Sequence, residues 1–307
     1  HGFLKVIELP IAEKQIEQSY PASVYDFCLE SIGEQWHSIA AALNNKPSVF
    51  LRVNTLRTTR DALVEQLKNL QVEFSTDCVV PVSLAKNSDC IQILSKNNLK
   101  KSDLYNQGFF EFQDIGSQAI GEFLFSSITD TSKLKDITIL DLCAGAGGKT
   151  LHLSALLNNE GKIYATDYKP SRLRNLQQRA EQAGCKNIKI IDFKEVKQLK
   201  NLDYILMDAP CSGTGTFKRQ ADLKYKVTSE KIQEYQTIQA SLLNEYKNLL
   251  HKNGQLIYAT CSILPQENEL QIQSFLKNNP GFSLVKSQQL LPTEYDGDGF
   301  YMACLSR

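Results

Sequence analysis

The sequence predicts an α/β fold: a doubly wound, mostly parallel sheet preceded by a smaller helical and α+β module. Three observations lead there. From Ile115 onward, short apolar runs alternate with helix-length amphipathic stretches, the pattern of parallel strands joined by crossover helices. A turn of small residues, Asp141-Leu-Cys-Ala-Gly-Ala-Gly-Gly-Lys-Thr150, separates the first such run from a helix. Each predicted strand also ends in a chemically able residue, namely Asp141, Asp167, Asp192, Asp208 or Thr260-Cys261, at the carboxyl edge where open sheets bind ligands.

The elements follow in order. Residues 1–45 read as helical, with Tyr20-Pro-Ala-Ser23 as a stop and restart and apolar positions from Val24 to Leu43 set around Trp36. Pro47 then breaks the pattern. Val49 to Val53 reads as a strand. Thr58 or Thr59 can cap a helix over Asp61 to Leu70 that turns Leu63, Leu67 and Leu70 to one face. Further apolar runs lie at Val79 to Val82, Cys90 to Leu94 and Gly108 to Phe112. The larger unit starts with a strand at Ile139 to Leu142 and a helix at Leu151 to Leu157. A strand follows at Lys162 to Asp167, then a helix capped by Ser171 and stopped by Gly184. Strands at Asn187 to Asp192 and Asp203 to Asp208 come next. A long helix at about 228–250 turns Ile232, Tyr235, Leu242, Tyr246 and Leu249 inward and stops at Gly254. Gln255 to Thr260 is a strand, Glu267 to Lys277 a helix, and Phe282 to Lys286 with Phe300 to Leu305 a closing pair. This divides the chain into a helical segment (1–45), a small α+β module (46–112) and a larger α/β domain (113–307).

Composition excludes several classes. The chain has 307 residues, 42% hydrophobic and 22% charged, and its formal net charge is zero. That is ordinary globular composition, so any nucleic-acid contact must use local patches. No run approaches the ~20 apolar residues of a membrane span. The eight cysteines are scattered singly with no Cys-x-x-Cys pair, against a zinc site or a disulfide framework and in favour of a reducing, cytoplasmic setting. The chain opens on His1 without a methionine, which reads as a trimmed start.

Three ligands compete for the small-residue turn. Gly148-Lys149-Thr150 fits the end of a phosphate loop, but Cys143 stands where that loop needs its first glycine. Gly145 and Gly147 begin a dinucleotide fingerprint, but Thr150 stands where its last glycine should be. The third ligand is S-adenosylmethionine, with the glycines beneath its methionine part. In all three, helix N–H groups and a close backbone approach favour a polar ligand. Asp167 is placed for ribose hydroxyls, or caps the next helix; Asp192 is placed for the adenine amino group. After the fourth strand comes Asp208-Ala-Pro-Cys-Ser-Gly-Thr-Gly215 and after the fifth Ala259-Thr-Cys-Ser262. Adjacent strands would bring Cys211 and Cys261 to one cleft as reactive thiols, with Lys149 near enough to favour a thiolate. A lone cysteine is more often a small core residue.

These blocks together resemble the RNA (cytosine-5) methyltransferases of the Sun/RsmB type. Leu51-Arg-Val-Asn-Thr-Leu56, Gln113-Asp114, Asp222-Leu-Lys-Tyr225, Glu267-Asn268 and Asp298-Gly-Phe300 add to the likeness, which runs from about residue 47 to the C-terminus. The resemblance implies a Rossmann-like methyltransferase domain that uses S-adenosylmethionine. It implies Cys261 as nucleophile at cytosine carbon 6, Cys211 in product release, Asp208 at nitrogen 3 and Lys149 holding the base or the Asp. It implies cofactor contacts from Asp141, Cys143, Ala144, Gly145, Gly147, Gly148, Lys149, Asp167, Arg172, Asp192, Asp208 and Pro210. The N-terminal extension of many bacterial members is absent or trimmed.

The expected partner is RNA, ribosomal RNA of the small subunit before transfer RNA, with no metal, no membrane and a monomeric chain. Lys46, Arg52, Arg57 and Arg60, without an acid among them, read either as a solvated face or as a contact to the RNA backbone. Phe217 to Lys226 reads as an RNA-contacting loop beside the site. A DNA cytosine-5 methyltransferase is the nearest rival, but it would need no Thr-Cys block. A non-catalytic RNA-binding protein and a phosphate-loop ATPase are the others.

Overall fold

The computed structural model describes residues 19–78 and 89–307. The expected run Val79 to Val82 and the first part of the N-terminal helical segment lie outside the described residues. The stretch around Trp36 forms two helices, α1 (Ala22–Ile32) and α2 (Gln35–Leu43), broken at Gly33. Their apolar faces do not close on each other alone. Tyr20, Tyr25 and Trp36 pack with Phe217, Val227, Ile232, Ile263 and Leu264, so this helix pair is seated on loops of the larger unit.

The small sheet has the order β2-β3-β1-β4, all antiparallel, from β1 (Val49–Val53), β2 (Phe74–Ser75), β3 (Cys90–Ile93) and β4 (Phe110–Phe112). The two-residue strand β2 is too short to leave a pattern in the sequence. Helix α3 (Arg60–Asn69) is capped by Thr59, whose hydroxyl accepts from the Ala62 amide at 3.2 Å. Leu63 and Leu67 are buried against Leu51, Val53, Ile91 and Phe110. Leu70 is 51% exposed, because it falls at the C-cap, where the helix face has already turned from the sheet. Side chains alternate along a strand. Leu51 and Val53 therefore face α3, while Phe50 and Arg52 face the larger unit. A single-turn helix α4 (Asp103–Asn106) precedes β4.

The main sheet has the order β10-β11-β9-β8-β5-β6-β7. Its strands are β5 (Thr138–Asp141), β6 (Lys162–Ala165), β7 (Ile188–Ile190), β8 (Leu202–Asp208), β9 (Leu250–Thr260), β10 (Ser283–Leu290) and β11 (Phe300–Ser306). Strands β5 to β9 are parallel, and β11 and β10 close one edge antiparallel. The doubly wound class is thus found. Both faces are buried, which explains the near-continuous apolar runs. Ile139, Leu206, Ile257 and Met302 meet Ile120, Phe123 and Leu124 of α5 (Ile115–Phe125) on one side. Leu140, Ile205, Leu256 and Tyr301 meet Leu243 and Tyr246 of the helix Ser229–Tyr246 and Ile272 of the helix Glu269–Asn278 on the other. Here α6 is Gly148–Leu156, α7 Leu176–Ala183, α8 Ser229–Tyr246 and α9 Glu269–Asn278.

Some boundaries differ from expectation. Ser171 is not a cap: Pro170–Leu173 is a separate 3-10 turn, and α7 starts after Asn175. Gly184 does end α7. In α8 the innermost residues are Ile232, Gln239, Leu243 and Tyr246, with Tyr235 and Leu242 only half-buried. The helix stops at Tyr246, a 3-10 turn covers Lys247–Leu249, and Gly254 lies inside β9. Pairing of β9 with both β8 and β11 outweighs the glycine's weak strand preference. Strand order reverses between β5 and β8, which makes the crevice at their carboxyl ends the expected ligand position.

Candidate active site

The small-residue turn runs from the end of β5 into α6. Asp141 is almost fully buried and its Oδ2 accepts from the Thr150 hydroxyl at 2.7 Å. Its Oδ1 is buried without a partner, and burial pushes its carboxyl up to about 7. Gly147 has φ +88°, and a Cβ there would lie 2.1 Å from Leu176 Cδ1, so both conformation and space exclude a side chain. Gly145 also has positive φ, and its missing Cβ faces open space. Asp167, at the end of β6, is buried; it accepts from the Gly145 amide at 3.1 Å and the Lys169 amide at 2.8 Å. The Arg172 guanidinium lies 3.9 Å from it. Asp192 is exposed and forms a capping box with Glu195 on the turn Phe193–Gln198. Both carboxylates therefore do local work as well.

The turn is also gripped from the small sheet. Arg52, fully buried, donates to the Gly148 carbonyl at 2.6 Å and to Gln113 Oε1. Arg179 donates to the Ala146 carbonyl and pairs with Glu111 of β4 at 2.7 Å. Of the four basic residues in 46–60, Arg52 alone is buried; Arg57 stays exposed while donating to the Gln182 and Glu181 carbonyls, Arg60 is half-buried and donates to that of Thr76, and Lys46 is exposed.

The loops after β8 and β9 meet, and Cys211 Sγ lies 3.4 Å from Cys261 Sγ. The contact with Cys261, then burial, pushes the Cys211 thiol well up, which keeps it protonated and able to donate. Beside them Lys149 Nζ donates to Asp208 Oδ2 at 2.7 Å. Burial opposes the ammonium, but Asp208 outweighs it and the Lys149 amine is held above its usual value. Gly215 packs its Cα on Gly299; a Cβ would fall 2.1 Å from the Gly299 carbonyl oxygen. Cys143 is half-buried beside the turn, its thiol pushed up by burial. Pro210 is held by Gln239, which donates to its carbonyl at 2.9 Å. The structure therefore brings Lys149, Asp208, Pro210, Cys211 and Cys261 together, with Asp141, Ala144, Gly145, Gly147 and Gly148 forming the adjoining corner.

The loop Phe217 to Lys226 is anchored at a few side chains and otherwise exposed. Phe217 is fully buried. Arg219 pairs with Asp298 and Asp114, both at 2.7 Å, and donates to the Ser48 carbonyl. Lys224 sits 3.9 Å over the Tyr20 ring and donates to Asn44, and Lys226 pairs with Asp222. Tyr225, 72% exposed, faces out, and Gln220, Ala221 and Asp222 are exposed as well. Sequence reading missed the roles of Arg52, Arg219 and Glu267, because each acts through a partner more than 50 residues away. A buried-looking charge within a strand was the available signal for Arg52. Among the described residues no cluster of His, Cys, Asp and Glu is arranged for a metal, and no helix is long and apolar enough to cross a membrane.

Comparison with known proteins adds the following. Residues 132–306 match the model of the 16S rRNA methyltransferase RsmB/F family, and residues 20–91 match the ferredoxin-like domain of RsmF/B-like methyltransferases. The ribosomal RNA small subunit methyltransferase B of Vibrio vulnificus is 29% identical over 97% of this chain, and that of Klebsiella pneumoniae 31% over 95%. The chain spans 69% and 64% of the length of those two relatives. A crystallised methyltransferase homologue from Pyrococcus horikoshii superposes with a TM-score of 0.79 at 25% identity, covering 97% of this chain and 98% of that one.

Proposed function

Since the chain belongs to the 16S rRNA methyltransferase RsmB/F family, we propose that it methylates carbon 5 of a cytosine in small-subunit ribosomal RNA through a covalent cysteine adduct. The single observation that carries this reading is the contact of two thiols, 3.4 Å apart, next to the Lys149–Asp208 pair. The cofactor is S-adenosylmethionine, which when bound supplies a methyl group on a positively charged sulfur. The corner suits it: the partnerless Asp141 Oδ1 can meet a cationic or hydrogen-donating group, and the space beside Gly145 admits a ligand against the backbone. Asp167 and Arg172 would hold its ribose end, Asp192 its base, and Cys143, Ala144, Gly147, Gly148 and Pro210 the walls.

Carbon 5 of cytosine is a weak nucleophile. The Cys261 thiolate forms a bond to carbon 6, and the displaced electrons move to nitrogen 3, which takes a proton passed to it through Asp208 and so leaves a neutral, enamine-like adduct. Carbon 5, now enamine-like, would take the methyl with a neutral thioether as the leaving group. Nitrogen 3 then returns its proton to Asp208, and loss of the carbon-5 proton to water restores the ring double bond as the S–C6 bond breaks and Cys261 leaves as the thiolate. Cys211, protonated and in contact with Cys261, serves this release. Lys149 holds Asp208 in place. The target base must leave its stack to enter.

An RNA path is supported by a groove of about 1170 Å³ on the small sheet and its flanking loops, lined by Lys46, Lys96, Lys100, Lys101, Phe112 and Gln113. Its one acidic lining residue, Asp114, is already paired with Arg219. We read residues 46–112 as the RNA-recognition module and 113–307 as the catalytic domain. The test is a denaturing gel of the full chain incubated with S-adenosylmethionine and ribosomal RNA. Cys211→Ala is expected to accumulate an RNA–protein adduct and Cys261→Ala to form none. The reverse pattern would make Cys211 the nucleophile and sink the assignment.

A further inference from the structure

The proposed chemistry leaves one buried carboxylate beside it unused. Glu267 is fully buried just after β9, six positions beyond Cys261. Its Oε1 accepts from the Ser212 amide at 2.9 Å and from Gln239 Nε2 at 3.1 Å. Its Oε2 accepts from the hydroxyls of Ser212 at 2.5 Å and Ser262 at 2.6 Å. Ser212 directly follows Cys211, and Ser262 directly follows Cys261. Gln239 also holds the Pro210 carbonyl, on the other side of Cys211. One carboxylate thus fastens the residue after each thiol, and through Gln239 the residue before one of them. The Glu267 carbonyl in turn accepts from the Tyr258 hydroxyl at 2.7 Å, which fixes the carboxylate's own backbone to β9.

A buried carboxylate with no cation among these partners is expensive, and neutral side chains could link two loops at less cost. Its retention beside two thiols therefore asks for a use of the charge. We infer that Glu267 is a positioning residue for the methyl transfer: its carboxylate staples the Cys211 and Cys261 loops at thiol contact and so keeps the two sulfurs in their separate roles. The negative charge also disfavours a second anion at Cys211, alongside the larger effects of the Cys261 contact and burial. The inference rests on the reading of Cys261 as nucleophile and Cys211 as the releasing thiol.

Two readouts test it on the full chain. The first needs no RNA. Phenylarsine oxide bridges two thiols only when they are close; with Cys78→Ser in every protein tested, which removes the other close thiol pair, Cys78 with Cys90, it should bind the otherwise native protein but not its Cys211→Ala or Cys261→Ala variant. Glu267→Gln, isosteric and uncharged, is expected to weaken that binding at least tenfold with an unchanged circular dichroism spectrum. The second is turnover: Glu267→Gln should lower kcat at least tenfold, leave KM for S-adenosylmethionine within twofold, and accumulate the RNA adduct as Cys211→Ala does. Native arsenical affinity in Glu267→Gln, or native kcat, would overturn the inference, as would loss of activity without adduct while Cys211→Ala forms one. If Glu267→Gln fails to fold, the double variant Ser212→Ala/Ser262→Ala removes the two hydroxyl legs and must show the same weakened arsenical binding. If no variant forms an adduct, the covalent reading fails, and the arsenical affinity still decides the staple.

Discussion

Asp141 carries a property measurable without substrate. Its carboxyl is pushed from 3.8 to about 7, first by burial. A carboxylate whose folded pKa is raised binds its proton more tightly when folded, so the stability it contributes is greatest below the unfolded value and declines as pH rises through about 7. Asp141→Asn cannot ionise but can still accept from Thr150. The melting temperature of the variant minus that of the native chain should therefore rise from about pH 4 and level off above about pH 7. A difference that is flat with pH would show that Asp141 does not titrate in this window. At the same scale, Lys149 illustrates how a partner changes a role. The sequence places it near the thiols, and the structure commits its ammonium to Asp208 at 2.7 Å.

At the scale of the element, strand β1 does two jobs by its alternation. Its odd-numbered Leu51 and Val53 complete the small sheet's core, and its even-numbered Arg52 reaches the first turn of α6 through the Gly148 carbonyl. The small module is thereby bonded to the corner that precedes Lys149. Arg52→Met removes a charge-assisted hydrogen bond and leaves a buried carbonyl under-satisfied, at about 3 kcal/mol of folding stability. Urea unfolding should register that loss, and calorimetry should find S-adenosylmethionine binding weakened about tenfold. Unweakened cofactor binding would mean that Arg52 only joins the two sheets. The loop of Phe217 to Lys226 makes the opposite point about elements. Its charges look like a surface in sequence, yet Arg219 and Lys224 are spent on Asp298, Asp114 and Tyr20.

For the molecule as a whole, zero net charge means that attraction of RNA must come from uneven placement. The exposed lysines 96, 100 and 101 lie along the groove on the small sheet. Replacing all three by Gln should weaken RNA binding and reduce the slope of log affinity against log salt by about 0.7 for each phosphate no longer neutralised. Cofactor affinity should not move. An unchanged salt slope would place the RNA elsewhere.

The sequence by itself determined the class of the fold and displayed the residues that the proposed chemistry uses. Strands buried on both faces must be apolar throughout, and β5, β8 and β9 announce themselves in that way. Their polar ends are equally visible, because Asp141, Asp208 and Cys261 interrupt apolar runs. A helix stop such as Gly184 is legible for the same reason: its signal is local. Tertiary structure alone decided the partners. Nothing near Ser212 or Ser262 foretells that one buried Glu267 accepts from both, and nothing near Arg52 foretells Gly148. Ser171 and Leu70 misled because capping and exposure depend on where the chain turns against its neighbours. Local periodicity encodes which face of an element is apolar; it holds no information about which distant polar atom will satisfy a buried charge, and that is fixed only when the loops of β8 and β9 close together.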